Sequence, residues 1–209
     1  MTEPARSRPR YDEGCLAAHA LNMIGDRWAL LVVRELMLVP KRFQMIRAGL
    51  PGVTAAVLTQ RLAQLQAAGV VGHDPALGAY GLTASGQGLM PVLQALCRWG
   101  SDHPGHDPRR FISPTALMIS MTAMVDQGLP GPVRAGFRSG REGFVQTLTR
   151  GALQVAADPD PQAPFVIEGS GNALAQAVYG PLPLDRVPGV TLQGDATAAQ
   201  AYLARFRLR

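Results

Sequence analysis

The stretch Gly52–Val71 reads GVTAAVLTQRLAQLQAAGVV. At about 100° per residue, Leu58, Leu62 and Leu65 fall together on one side of a helix. Opposite them lie Ala56, Thr59, Gln60, Ala63 and Ala67, with Arg61 at the edge. A surface helix ordinarily carries charge on its wet face, yet this outer face holds no acid at all. Its small and neutral polar side chains suit close approach to a negatively charged surface. Thr54 is placed to cap the first turn and Gly69 to end the helix.

Working outward, the pattern predicts three earlier helices. Cys15–Ile24 is broken by Gly25 and Asp26, and Asp26 can cap the second helix. Arg27–Val39 carries Trp28, Leu31, Val32, Glu35 and Leu36 at helical spacing and is stopped by Pro40. Phe43–Ala48 is short and ends at Gly49 and Pro51. Beyond the quoted stretch, Val70–Asp74 and Ala79–Leu82 read as strands joined by Pro75–Gly78, and a long helix runs from Thr83 to about Trp99. Four helices, a hairpin and a long helix is the order of a winged helix-turn-helix with an added terminal helix.

The polar run Ser101–Arg110, SDHPGHDPRR, reads as a linker, after which the composition changes. Pro114–Gln127 is a methionine-rich helix. Strands are predicted at Val133–Arg138, Phe144–Thr149, Ala152–Ala156, Phe165–Glu168 and Val190–Gln193, the first two joined by a glycine-containing turn, Ser139–Gly143. Helices are predicted at Asn172–Tyr179 and Ala196–Phe206. This half is α+β, with helices segregated from an antiparallel-rich sheet.

The chain has 209 residues and a net charge of +5, with Lys41 its one lysine. Up to Arg110 there are 12 Arg and Lys against 8 Asp and Glu; beyond it there are 8 against 7. The basic excess therefore lies in the first half, as do all four histidines, which fits nucleic acid without requiring it. The two cysteines, Cys15 and Cys97, make neither a disulfide framework nor a metal-ligand spacing. The opening MTEPARSRPRYDEG lacks the apolar core of a signal peptide, and Ala116–Val125 is too short to span a bilayer. A soluble cytoplasmic protein that binds no membrane is the expectation. No catalytic set is apparent, so an enzyme is not expected. HPGH (His103–His106) lacks the partners of a metal site, and GSGN (Gly169–Asn172) lacks the full nucleotide fingerprint, so no cofactor is expected.

Cys15 ahead of the first helix, IGDRW (Ile24–Trp28), KRF (Lys41–Phe43), LPGVTAAVLTQRLAQLQAAGVV and YGLTASGQGL (Tyr80–Leu89) occur in register, and together they resemble the HxlR family of bacterial winged-helix regulators. Gly72-His73 stands where that family often has arginine at the foot of the wing. The second half resembles the sterol-carrier-protein-like fold, a twisted sheet and helices around an apolar tunnel. The residues are RSGREGFVQTLTRGALQVAADPDPQAPFVIEGSGNALAQAVYG and GVTLQGDATAAQAYLARF. The organisation expected is a flexible N-terminus (1–14), a winged helix-turn-helix domain for DNA binding and dimerisation (15–100), a linker (101–113) and a sterol-carrier-like α+β domain (114–209).

The resemblance implies a dimeric DNA-binding transcriptional regulator of a double-stranded operator. The second of the paired helices would enter the major groove. Ala55 and Ala56 would let the helix backbone approach the DNA, Thr59 and Gln60 would bond base edges or phosphate, and Gln can pair with adenine. Thr54 belongs to the same face. Lys41, Arg42 and Arg61 are candidate phosphate contacts, as is Arg47, and His73 a candidate backbone or minor-groove contact. For each of these a solvated or salt-bridged surface group is the alternative. Leu89, Val92, Leu93 and Leu96 form a stripe for dimerisation. Met118, Met121, Met124, Phe137 and Phe144 are candidates for lining an apolar small-molecule effector site, with plain core packing the alternative. Cys15 is the residue of an alternative reading as a thiol-based redox regulator with a structural second domain; Asp12 and Glu13 beside it oppose the thiolate that chemistry needs. An apolar-ligand carrier with an appended nucleic-acid domain is a third reading.

Overall fold

The structure, a computed structural model, describes residues 10–125, 132–149 and 152–208. Residues 1–9 of the expected flexible segment 1–14 and the expected helix end at Gln127 fall outside them. Leu16–Ile24 (α1), Ala29–Leu36 (α2), Phe43–Ala48 (α3) and Ala55–Ala67 (α4) form where the apolar spacing places them. Lys41–Arg42 adds a two-residue strand (β1) that the sequence pattern does not reveal. It pairs with Ala79–Leu82 (β3), which pairs in turn with Val71–Asp74 (β2), giving an antiparallel sheet in the order β1-β3-β2. Leu58, Leu62 and Leu65 of α4 are buried against Val32, Val33, Leu36, Ile46 and Leu50. This is a winged helix-turn-helix.

The long helix expected from Thr83 is instead two, Ala84–Gln87 (α5) and Met90–Ser101 (α6). Gly88 ends the first, and Pro91, which has no amide to donate to the preceding turn, sits in the first turn of the second.

The second half starts with Pro114–Met124 (α7), capped by the Ser113 hydroxyl, which accepts from the Ala116 amide at 3.1 Å. Strands Val133–Ser139 (β4), Glu142–Thr149 (β5), Ala152–Ala157 (β6), Phe165–Gly169 (β7) and Val190–Gly194 (β8) form one sheet in the order β6-β5-β4-β7-β8. All its pairs are antiparallel except β4 with β7. That parallel pair requires the chain to cross the sheet after β6. The crossing backbone presses on β5: the Asp158 amide donates to the Gly143 carbonyl at 2.8 Å, and a Cβ on Gly143 would lie 2.2 Å from the Asp158 oxygen. Gly171–Tyr179 (α8) and Ala196–Leu203 (α9) pack with α7 over a core of Phe137, Phe144, Phe165, Ile167 and Tyr202.

The two halves are tied together. Ile119 of α7 is buried in the first core, and Leu38 packs against the second. Between them lies a buried polar cluster. Glu35 of α2 is fully buried, and its Oε1 accepts from Ser113 Oγ at 2.6 Å and from Arg34 at 2.9 Å. Lys41 Nζ lies 3.2 Å from Glu35 Oε2, donates to Thr115 Oγ1 at 2.9 Å and pairs with Glu142 Oε1 at 2.7 Å. The linker is anchored as well: Asn172 of α8 donates to the Arg110 carbonyl at 2.8 Å and accepts from the Ile112 amide at 3.2 Å. Among the described residues no helix is long and apolar enough to cross a membrane.

Removing one partner of a buried ion pair strands the other, at a cost of about 3–5 kcal/mol. Lys41→Ala should therefore lower stability by about that amount in urea unfolding. Gly49→Ala should also destabilise, because its Cβ would fall 2.2 Å from Glu35 Oε2. A Lys41→Ala protein of unchanged stability would mean that the cluster contributes nothing.

Candidate nucleic-acid interface

Helix α4 is positioned by its buried leucines, and its first turn by Thr54, whose hydroxyl accepts from the Val57 amide at 3.3 Å. That hydroxyl still has its own proton to donate outward. Gly52, with φ +89°, makes the turn into the helix. Ala55, Ala56, Thr59, Gln60 and Ala63 are all exposed, and the side chains of Thr59 and Gln60 have no intramolecular partner among the described residues. The result is a smooth, acid-free face with two free hydrogen-bonding groups.

The cations expected around this face divide into two groups. Arg42, at the N-cap position of α3, and Arg47, in its last turn, are exposed and have no ion pair among the described residues. Lys41 and Arg61 are not available to phosphate. Lys41 is 2 % exposed and held by Glu35, Thr115 and Glu142. Strand alternation turns it inward while Arg42 beside it turns out. Arg61 is 3 % exposed, pairs with Asp26 and bonds Gln64. The expectation that these two contact DNA is corrected: each neutralises an internal carboxylate.

In the wing, His73 is exposed and stacks on Tyr80 with ring centroids 4.5 Å apart. Asp74 accepts from the Ala76 and Leu77 amides at 2.9 and 3.2 Å, which shapes the tip and leaves Leu77 exposed there. The wing carries neither arginine nor lysine, whereas α3 and its N-cap carry the exposed Arg47 and Arg42.

The apolar candidates of the second half do not line a tunnel. Met118, Met121, Phe137 and Phe144 are closely packed core, and Met124 is buried as well. The two methionine sulfurs accept from the buried Gln146 side-chain amide at 3.2 and 3.3 Å, and Tyr202 donates to its oxygen at 2.7 Å. These side chains satisfy and enclose a buried polar group. A cleft of about 640 Å³ opens elsewhere, between α6, α7 and the β6 edge, lined by Met90, Gln94, Thr122, Arg134, Thr147 and Val155 among others.

Cys15 is exposed just before α1. Cys97 is half-buried, and burial raises its thiol pKa above the ordinary value against the opposing pull of Arg34 and Arg98.

Residues 23–108 match the family model for the HxlR-like helix-turn-helix. An uncharacterized HTH-type transcriptional regulator of Synechocystis sp. is 35% identical over 109 residues, covering 49% of this chain and 80% of the relative. The Bacillus subtilis regulator YvaP is 32% identical over 99 residues, covering 45% and 86%. The chain belongs to the HxlR family. Like those relatives, this HxlR protein is a helix-turn-helix transcriptional regulator. The crystal structure of quinone-bound YodB from B. subtilis overlies 42% of this chain and 97% of that one at 30% identity, with a TM-score of 0.39.

The opposite fates of the arginines give a test. Arg61→Ala should lower the urea midpoint and leave the salt dependence of DNA binding unchanged. Arg42→Ala should leave the midpoint unchanged and flatten the salt dependence, since a phosphate contact releases counterions. The reverse pattern would overturn the assignment of these two residues.

Proposed function

We propose that the protein acts as a two-fold dimer whose paired α4 helices enter successive major grooves of a pseudo-palindromic operator. The observation that carries this is the outer face of α4: exposed, free of acid, and bearing Thr59 and Gln60 without internal partners among the described residues. Gln60 suits an adenine edge and the alanine methyls suit thymine. Arg42 and Arg47 hold flanking phosphates, Thr54 sets the start of the helix and lends its hydroxyl to the backbone, and His73 contacts the DNA from the wing. Half-sites then lie about one helical turn apart, roughly 34–36 Å.

Exposed apolar side chains support the dimer. Leu16 and Leu21 on α1 and Val92, Leu96 and Trp99 on α6 face water in the single chain. Leu89 and Leu93, expected on the same stripe, pack instead with the chain's own core.

The C-terminal half is an α+β unit, one five-stranded sheet with α7, α8 and α9, and its sequence resembles the sterol-carrier-like fold. With its methionines and phenylalanines packed, the reading best supported is a module fixed beside the reading head. A second reading has the 640 Å³ cleft behind it: an effector there would touch Met90 and Gln94 of α6 as well as the sheet, and so reach the dimer helix. It shifts DNA affinity only if it binds the two DNA-binding states unequally. A redox reading rests on the exposure of Cys15 alone.

An operator selected from random duplexes provides the test. Thr59→Ala combined with Gln60→Ala should weaken operator binding by about 1–3 kcal/mol for a specific base contact and leave binding to random duplex unchanged. Operator binding equal to wild type would overturn the role of α4.

A further inference from the structure

The β4–β5 hairpin closes with a two-residue turn, Gly140-Arg141, between the paired residues Ser139 and Glu142. Gly140 supplies the left-handed backbone the turn needs, at φ +60°. The residue after the turn is Glu142, whose carboxylate lies 2.7 Å from Lys41 Nζ. Lys41 is itself fixed from two other sides, by Glu35 Oε2 at 3.2 Å and Thr115 Oγ1 at 2.9 Å. The hairpin tip is therefore pinned against β1, the edge strand of the reading-head sheet. The next residue of β1 is the exposed Arg42, which pairs in the sheet with Ala79 at the end of the wing turn.

The charges at this junction do not cancel evenly. Glu142 and Lys41 neutralise each other, and Glu35 is met by Arg34 as well as Lys41. Arg141 at the tip is exposed and has no ion pair or hydrogen bond among the described residues. A guanidinium is thus held on a tight turn, one residue from the Glu142–Lys41 contact, and Lys41 is followed in β1 by the exposed Arg42. DNA presents one negative charge per about 1.7 Å of axis, so a cation held on a fixed turn near bound DNA would meet phosphate without ordering a loop to do so.

We propose that Arg141 binds a DNA phosphate next to those held by Arg42 and Arg47, so that the C-terminal half extends the footprint of the reading head. This rests on the reading of α3 and α4 as the DNA-facing elements. Lys41 is turned inward and held by Glu35, Thr115 and Glu142, and Arg141 adds a cation to that surface from the other half of the chain.

The full-length protein is titrated with a random-sequence duplex of about three helical turns, roughly 30 base pairs, over a range of salt. Arg141→Ala should reduce the slope of log affinity against log salt by about 0.9 per protomer, as for one lost phosphate contact. The ratio of affinities at about 50 and 200 mM salt should then fall about 3.5-fold per protomer. Arg141→Lys, which keeps the charge, should restore the slope, and the melting temperature of both variants should match wild type. An Arg141→Ala slope equal to wild type, with Arg42→Ala still reduced, would overturn the proposal and leave the reading head intact. Slopes unchanged in both variants would overturn the placement of DNA against α3 and α4 as well. A reduced slope that Arg141→Lys fails to restore would also overturn it, since phosphate recognition at this rim needs only the charge.

Discussion

A carboxylate with no exposed surface has to be met by donors, and in this protein the donors that meet Glu35 come from both halves of the chain. Burying a lone charge costs far more than a domain's whole margin of stability, so Arg34, Lys41 and Ser113 are obligatory company for it. Much of the remaining architecture depends on that arrangement. Gly49 has no side chain because Glu35 occupies the space. Ser113 both caps α7 and donates to Glu35, which fixes where the second half begins relative to α2. Lys41 carries the connection on to Thr115 and to the β5 side of the hairpin. The polar linker is held at its far end by Asn172. The two halves therefore form one body, joined through the α6–α7 pair and this cluster.

Features set by near neighbours in sequence were legible. The leucine stripe of α4, the Thr54 cap, the wing strands and the β4–β5 hairpin all arise from periodicity and turn chemistry over a few residues. Features set at a distance were not. Strand β1 is only two residues long and exists because Tyr80 and Ala79 pair with it. The parallel β4–β7 pair has no local signature, since it depends on a crossing that comes after β6. Gly88 and Pro91, which split the expected long helix, were visible in the sequence, but the leucine spacing across them outweighed them.

The site shows the same division. The exposed, acid-free outer face of α4 was legible because exposure and the absence of acid are properties of the helix itself. The fate of each cation was not, because it depends on which carboxylate lies nearby in three dimensions. Lys41 meets Thr115, 74 positions away in sequence, and Glu35 meets Ser113, 78 positions away. One signal did point there: Glu35 lies on the apolar stripe of α2, and an acid in that position calls for a buried cation. The methionine spacing on α7 reads equally well as a pocket wall or as core; the buried amide of Gln146 decides for core.

The central claim is that the Glu35–Lys41 cluster makes the reading head and the C-terminal half a single rigid body. Residual dipolar couplings of the backbone amides, measured on the free protein in a weakly aligning medium, test it most directly. A single alignment tensor fitting amides of α2, α4 and α6 together with those of β4, β5 and β7 is the predicted result. Two tensors of different magnitude or orientation for the two halves would contradict it.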